Sequence, residues 1–502
     1  MISRRTFLIG AAGTAALAAC SPTPSAPTRG GHLKVAFQTA GAKETLDPHL
    51  VEIFVDGARS KALYDKLADL DGKMSVVPRL ATAFDPNADA SVWRITLREA
   101  QFHDGRPVTA EDVLWSLARI VEPNTSRRAR TVLKPLDLRR SRVVDARTVE
   151  LALDRPSSEF PSALAGFGTW IMPKDTRDFS APIGSGPFKF RSFTPGQPLI
   201  VDRFDGYWDG APLVDSVEFV PVNDETARIN ALVGGQVHYA HDLSATSART
   251  YAGDGRVQIL SAPGSLMHSF AMKVDRPPFN DPRVREAFTL IADRRELVEV
   301  ALAGRGTVGN DLFGKGFRYY AADLPQRERN LDQARKLLAE AGQPNLKVTL
   351  HTAEMGAGIV DAATLFAEHA KAAGVTVEVA IGNKDTFWAD TLKNGEFSSY
   401  RSGAMPIETH MANRMLTNSA QNVTKWTSPE FDKQFATLQA TVDEGQRSRL
   451  YRDMQTTLHK DSGLLVWGFA DWIVATAKSV QGVAAAPPNT FEWARFDRVS
   501  LR

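Results

Sequence analysis

Hydrophobic and polar residues alternate from Val92 to Leu97, with Trp93, Ile95 and Leu97 pointing one way and Arg94 and Thr96 the other. A period of two marks a half-buried strand. It runs towards Asp104-Gly105, a tight-turn signal. Beyond the turn the period lengthens: Val113, Leu114, Leu117 and Ile120 recur at helical spacing, behind Thr109 as cap and Glu111-Asp112 in the first turn. Asp224 predicts the cap of a helix carrying Ala227, Ile229, Ala231 and Leu232, stopped by Gly234-Gly235. Asp281-Pro282 is a cap with proline at the first helical position, and Val284, Ala287, Phe288 and Ile291 form the buried stripe behind it. Asp293 to Glu296 has the spacing of a capping box. Asn330 to Ala341 reads as a further helix ending at Gly342. Lys347 to His351, Ile359 to Ala373 and Val375 to Ile381 read as strand, helix and strand, with Gly374 as the helix stop. That βαβ unit implies parallel pairing with a right-handed crossover, and so mixed α/β lobes.

The N-terminus changes the compartment. Arg4-Arg5 precedes a stretch from Leu8 to Ala19 without charge. The stretch is shorter than the roughly 20 apolar residues a bilayer span needs. A charged start, a short apolar middle and small residues at the end make residues 1–19 a signal peptide, and the paired arginines resemble the twin-arginine export signal. Cys20 is the only cysteine in the chain and follows Leu17-Ala18-Ala19. Leu-Ala-Ala-Cys resembles the lipobox of bacterial lipoproteins, so Cys20 is the expected lipidation site and membrane anchor. More than one acyl chain is needed for stable anchoring. Residues 20–29, with three prolines after the cysteine, then form a tether. The expected location is the extracytoplasmic or periplasmic face of the membrane. Loss of Arg4 and Arg5 takes the 60 basic side chains to 58, against 58 acidic ones. A neutral balance gives no electrostatic footprint for nucleic acid. At 502 residues the chain is long for one core, and two or more lobes follow.

Several segments together resemble the peptide/nickel family of extracytoplasmic solute-binding proteins (family 5). They are Leu46-Asp47-Pro48-His49, Val77-Pro78-Arg79-Leu80-Ala81, and the run from Phe102-His103-Asp104-Gly105-Arg106-Pro107 to Val113. Ile183-Gly184-Ser185-Gly186-Pro187-Phe188, Tyr207-Trp208, Pro278 to Phe288 and Arg449-Leu450-Tyr451 continue the series in the same order. The resemblance implies an α/β, periplasmic binding protein-like class II fold with three discontinuous lobes joined by a hinge. Lobe I would combine residues 30–60, 181–264 and 471–502, lobe II would be 61–180, and lobe III 265–470. It also implies a monomer that holds a peptide-like or other small organic solute between lobes I and III, with no cofactor. Closure would deliver the solute to two ABC permease subunits and their ATPases.

The same resemblance places His49, Val51, Trp170, His268, Trp388 and Trp493 along the cleft, with Tyr400, Arg401, Ser402, Gly403, Ala404, Met405 and Glu408 in the ligand loop. Peptide-binding relatives carry an aspartate for the peptide amino terminus in a pattern like Gly-Trp-x-Gly-Asp. Here Ala404 stands in its place, and a buried ammonium without a counter-charge is costly. Glu408 is a candidate substitute, with a surface carboxylate as the bland alternative. Nickel-chelate relatives show Trp-Gly-Ala-Pro-x-Asp-Pro-His, of which Ser402 to His410 is a partial echo, so a metal chelate is the second ligand expectation. Ten histidines lie scattered without close metal-ligand spacing. Arg127, Arg128 and Arg130 form a basic cluster, read as a solvated loop or as one cleft-facing carboxylate fork. Neither a nucleophile elbow nor an H-E-x-x-H motif occurs, and Gly304-Arg305-Gly306 is no phosphate loop. The reading is therefore of a binder and not an enzyme. An exported enzyme and a non-transporting sensor receptor are the alternatives from other classes.

Overall fold

The computed structural model describes residues 28–502 apart from 126 and 357. The expected signal peptide (1–19), the expected lipidation site Cys20 and most of the expected tether lie outside the described residues. Two long strands, Val257–Met272 and Leu464–Ala477, organise the rest. They pair antiparallel along most of their length, and each is flanked by different neighbours at its two ends. At one end Leu464–Ala477 pairs with Tyr239–Ala240, which is followed in parallel by His32–Phe37 and then Ser216–Pro221. At the other end Val257–Met272 pairs with Phe397–Gly403, which leads to Lys347–Thr352 and Thr376–Ile381. One eleven-stranded sheet thus runs through two bodies.

The register of the central pair shifts at His268/Ser269 and, more widely, between Ala262 and Leu266. Ala262 faces Trp472, and the next pair is Leu266 with Ala470. Pro263, Gly264 and Ser265 therefore oppose the single residue Asp471. Pro263 has no N–H to donate, and Gly264 holds φ +72°, which favours glycine. Such a bulge bends the bulged strand and loosens its ladder.

The body at the His32–Phe37 end of the sheet is called the first body, and the one at the Lys347–Thr352 end, the third body, has a core with two faces. Phe270, Phe366, Phe397 and Trp467 pack on one side of the sheet with the helices Pro282–Ile291 and Ile359–Ala372. Met267, Tyr400, Tyr451 and Phe469 pack on the other. A separate small body contains the antiparallel sheet Ala81–Pro86, Val92–Leu97, Thr148–Leu153 and Leu136–Asp145, covered by helix Ala110–Val121.

Local signals account for most helix ends. Asp112 accepts from both the N–H and the hydroxyl of Thr109, at 2.8 and 2.7 Å. Asp224 and Asn330 cap their helices through Ala227 N–H and Gln333 N–H. Asp293 accepts from Glu296 N–H, but the reciprocal half of the expected capping box is missing. The Glu296 carboxylate instead pairs with His369 Nε2 at 2.9 Å. Lys347–Thr352 and Thr376–Ile381 pair in parallel across helix Ile359–Ala372, as the βαβ pattern requires.

The motif at Phe102–Asp112 does joining work. His103 Nε2 bonds Gly186 O at 3.0 Å, and its Nδ1 accepts from Gly184 N–H at 3.2 Å. Gly184 and Gly186 press so closely on the chain at Ala62–Leu63 that a Cβ on either would fall within 2.6 Å of a carbonyl oxygen. The motif's histidine and the glycines it grips are one packing unit, not a reaction centre.

Candidate functional site: the cleft between the sheet halves

Four aromatic rings from distant parts of the chain meet on the first body's side of the ladder break. Phe54 lies 4.8 Å from Trp472 and 6.3 Å from Trp493. His241 lies 5.1 Å from Trp472 and 5.7 Å from Trp493. Each is placed by the fold. Phe54 starts helix Phe54–Leu63, His241 follows Tyr239–Ala240, and Trp472 is the last paired residue before the break. The indole N–H groups of Trp472 and Trp493 and Nε2 of His241 are buried without a hydrogen-bond partner among the described residues. Buried polar groups are normally paired, so three such atoms on one wall call for an explanation. Burial lowers the His241 pKa well below its ordinary value, with help from Arg228, so the ring is neutral at pH 7.

Across the break, Arg401 stands opposite His268 in the ladder. His268 is buried against Trp467 at 5.2 Å, and burial lowers its pKa to about 3. Tyr400 faces the opposite side of the strand. Its ring meets Trp388 edge-on at 5.8 Å and lies 5.6 Å from the Arg414 guanidinium, and its hydroxyl is buried without a partner among the described residues. Ser402 is buried and Gly403 exposed, while Ala404 N–H donates to Ser265 O at 3.0 Å, within the bulge. Ala404 also packs beside the cluster of Ala68, Leu70 and Met74 in the small body, and Met405 is half-buried next to it.

The other expected site residues are engaged elsewhere. His49 is fully buried, with Nε2 on Trp170 O at 2.9 Å and Nδ1 against Arg119 at 2.9 Å. Desolvation lowers its pKa to about 4. Asp47 of the same loop holds Arg119 in a buried ion pair. Val51 packs on Gly168, and Trp170 sits under Lys66 with its ring 5.1 Å from Nζ. Glu408 is not the surface carboxylate that one reading of the sequence favoured. Its two oxygens accept from Gln439 Nε2 at 2.7 Å and Thr409 Oγ1 at 3.3 Å, and burial raises its pKa. Of the arginine cluster, Arg127 is bound to Glu122 at 2.8 Å and to Arg119 O. Arg128 donates to Glu52 O at 2.9 Å and covers the Phe167 ring, and Arg130 is exposed.

The small body packs against the third body. Ser158 N–H and Oγ donate to Gln439 O and Leu438 O at 2.8 and 3.1 Å. Glu159 forms a buried ion pair with Arg447 and lies 3.9 Å from Arg318, whose N–H donates to Lys73 O. A separate cavity of about 130 Å³ at His351, Phe387 and Asp390 lies at the outer end of the third body's parallel strands. Among the described residues no group of three or more His, Cys, Asp or Glu could hold a metal ion, and no helix is long and apolar enough to cross a membrane.

A mixed α/β fold whose long sheet runs through two bodies, with a third beside them, has known counterparts. Residues 75–425 match the model of bacterial extracellular solute-binding proteins, family 5. The chain belongs to that family. The glutathione-binding protein GsiB of Salmonella typhimurium is 26% identical over 481 residues, covering 91% of this chain and 92% of that protein. The periplasmic oligopeptide-binding protein OppA of Escherichia coli K12 is 27% identical over 498 residues, covering 90% of each. Among solved structures, the ABC transporter substrate-binding protein CtaP of Listeria monocytogenes superposes with a TM-score of 0.84 at 20% identity, over 94% of this chain and all of that one. The family protein is a mixed α/β solute-binding component of ABC transporters and not an enzyme.

Proposed function

We propose that this family 5 protein captures a small organic solute, peptide-like or otherwise, between the Phe54–His241–Trp472–Trp493 wall and the Arg401–Met405 segment. The wall belongs to lobe I, built from residues 30–60, 181–264 and 471–502. The segment belongs to lobe III, residues 265–470, and residues 61–180 form lobe II against both. The two main lobes swing about the bulge at Pro263–Ser265. A solute that touches both walls only when they meet favours the closed form by its differential binding energy. The closed shape is what the permease subunits and ATPases of the importer receive. Export by the twin-arginine route and a lipid on Cys20 would keep the monomeric receptor at the extracytoplasmic face of the membrane.

The observation that carries this reading is the set of three unpartnered buried N–H or ring-nitrogen groups on one wall, among the described residues, beside the register break between Ala262 and Leu266 in the shared sheet. A solute's oxygen atoms would complete them. Native mass spectrometry of protein purified without refolding should identify the bound compound. Solution scattering with and without it should show a smaller radius of gyration when loaded. Superimposable profiles at saturation would remove the mechanism.

A further inference from the structure

One buried cation serves a single turn of the aromatic wall. Lys61 lies on helix Phe54–Leu63, seven residues after Phe54 and so on the same helix face as that wall ring. Its ammonium donates to Thr490 O, Phe491 O and Trp493 O at 2.6, 2.9 and 3.1 Å. An ammonium has three N–H donors, and here all three go to one short turn 429 or more positions along the chain. The neighbouring buried lysine, Lys66, instead pairs with Asp69 at 2.6 Å and donates to Ala165 O at 2.7 Å.

The turn needs holding. Asn489 and Ala494 on either side of it sit at φ +62° and +54°, left-handed backbone that non-glycine residues keep only where their surroundings impose it. Trp493 N–H reaches Thr490 O at 3.2 Å, and Phe491 N–H donates to Leu70 O at 2.6 Å. Trp493 carries the indole that meets Phe54 at 6.3 Å and His241 at 5.7 Å. The group that fixes the Trp493 carbonyl thus rides on the helix that presents Phe54.

Burial lowers the Lys61 pKa to about 8, with Lys66, Arg495 and Arg79 adding to the fall and Asp69, 3.5 Å away, opposing it. Asp65, Asp497, Tyr64 and Tyr207 line the same small cavity. Burial raises the Asp65 pKa to about 6, below the range in which Lys61 titrates, and pushes both tyrosines above it. A neutral amine has two N–H groups and a lone pair. On losing its proton Lys61 therefore leaves one of the three carbonyls unpaired and takes the charge assistance from the other two.

We propose that Lys61 is a positioning residue for solute capture: its ammonium ties the Thr490–Trp493 turn to the Phe54 helix and so sets the gap between the Phe54 and Trp493 rings. The wall is competent while Lys61 is charged, and it relaxes as the proton is lost. This rests on the solute-binding reading, and the test separates the two.

The protein is labelled with 5-fluorotryptophan and followed by fluorine NMR from pH 7 to pH 9.5, with the Trp493 resonance assigned through Trp493→Phe. In wild type that resonance should shift with a midpoint near pH 8. Those of Trp93 and Trp426, buried in the small and third bodies, should stay in place. Lys61→Met should hold the Trp493 resonance at its alkaline position at every pH. Asp69→Asn, which removes the acid that favours the ammonium, should move the midpoint down. Unmoved Trp93 and Trp426 resonances confirm that both variants fold. Native mass spectrometry then follows the low-mass adduct retained by the protein as purified. Wild type should hold it about tenfold more weakly at pH 9.5 than at pH 7, the size of one charge-assisted hydrogen bond. A Trp493 resonance that stays fixed in wild type, titrates alike in Lys61→Met, keeps its midpoint in Asp69→Asn, or titrates with adduct retention unchanged would overturn the inference while leaving solute capture intact. Absence of any adduct, with no compaction in scattering, would overturn solute capture and the role of Lys61 with it.

Discussion

Replacement of Glu159 by glutamine should open the protein. The Glu159 and Arg447 side chains are 7% and 9% exposed and pair across the boundary between the small and third bodies, a contact that closure would make. Arg447 Nη2 also reaches Tyr319 Oη at 2.6 Å, and Tyr319 stacks on Tyr451 at 4.2 Å. Removing the acid leaves Arg447 buried without its counter-charge, which costs about 3 kcal/mol at the low end of the range for a broken buried pair. In an open form both groups would be hydrated and the cost would vanish. The ratio of closed to open molecules should therefore fall by about 100-fold, since each 1.4 kcal/mol is tenfold. Apparent affinity for the co-purifying solute should fall by up to the same factor, because only the closed fraction binds fully. Small-angle scattering of the ligand-free variant should give a larger radius of gyration than wild type, and calorimetry should report the weakened binding. The double variant Glu159→Gln/Arg447→Met should regain much of the closure, since no buried charge is then left alone. A Glu159→Gln protein with wild-type scattering and less than about a twofold loss of affinity would refute the reasoning, because truncation of a buried charge partner ordinarily costs far more.

Three further outcomes follow from single side chains. Asp224→Ala removes the cap accepted from Ala227 N–H and should lower stability by about 1 kcal/mol, read from urea midpoints; no shift would mean water caps the helix equally well. Burial lowers the pKa of His49 and His103 to about 4 and of His268 to about 3, below the ordinary 6.5. Their contribution to stability is complete above pH 6.5 and is lost as pH falls towards those values, each by up to about 1.4 kcal/mol per pH unit. Urea midpoints should fall between pH 6.5 and 5, and His268→Asn should flatten the slope; a flat wild-type profile would contradict the burial argument. Glu408→Gln should leave solute affinity within about twofold, because the carboxyl already serves Gln439 and Thr409 and loses only an exchangeable charge. A large loss would return Glu408 to the binding surface.

Much of the fold could be read from local pattern because its causes are local. Asp224, Asp281, Asp293 and Asn330 accept helix N–H groups where a cap was expected, and at the Thr109 end Asp112 accepts from the Thr109 N–H, since each acceptor and its N–H lie within three residues. The βαβ unit at 347–381 was visible for the same reason. The cleft wall was not. Phe54, His241, Trp472 and Trp493 are separated by up to 439 positions, and only the shared sheet brings them together. Trp493 was reached through family layout, while Phe54, His241 and Trp472 have no spacing that could announce them. His49 poses the opposite difficulty. A polar residue in such a loop fits a ligand contact as well as it fits a bond to Trp170 O, and only the fold, which brings residue 170 beside it, shows that bond.

The paired crossing strands have one more consequence. The chain leaves the first body after Ala262 and re-enters it at Trp472, and these residues are ladder partners. Partners in adjacent strands sit roughly 5 Å apart. The intervening stretch therefore begins and ends at one point, like a guest domain spliced into a host. Its removal and replacement by a short turn would ask the remaining chain to span almost no distance. Recognition on the guest side could then be exchanged wholesale between relatives, while the host kept its own termini and its indole wall.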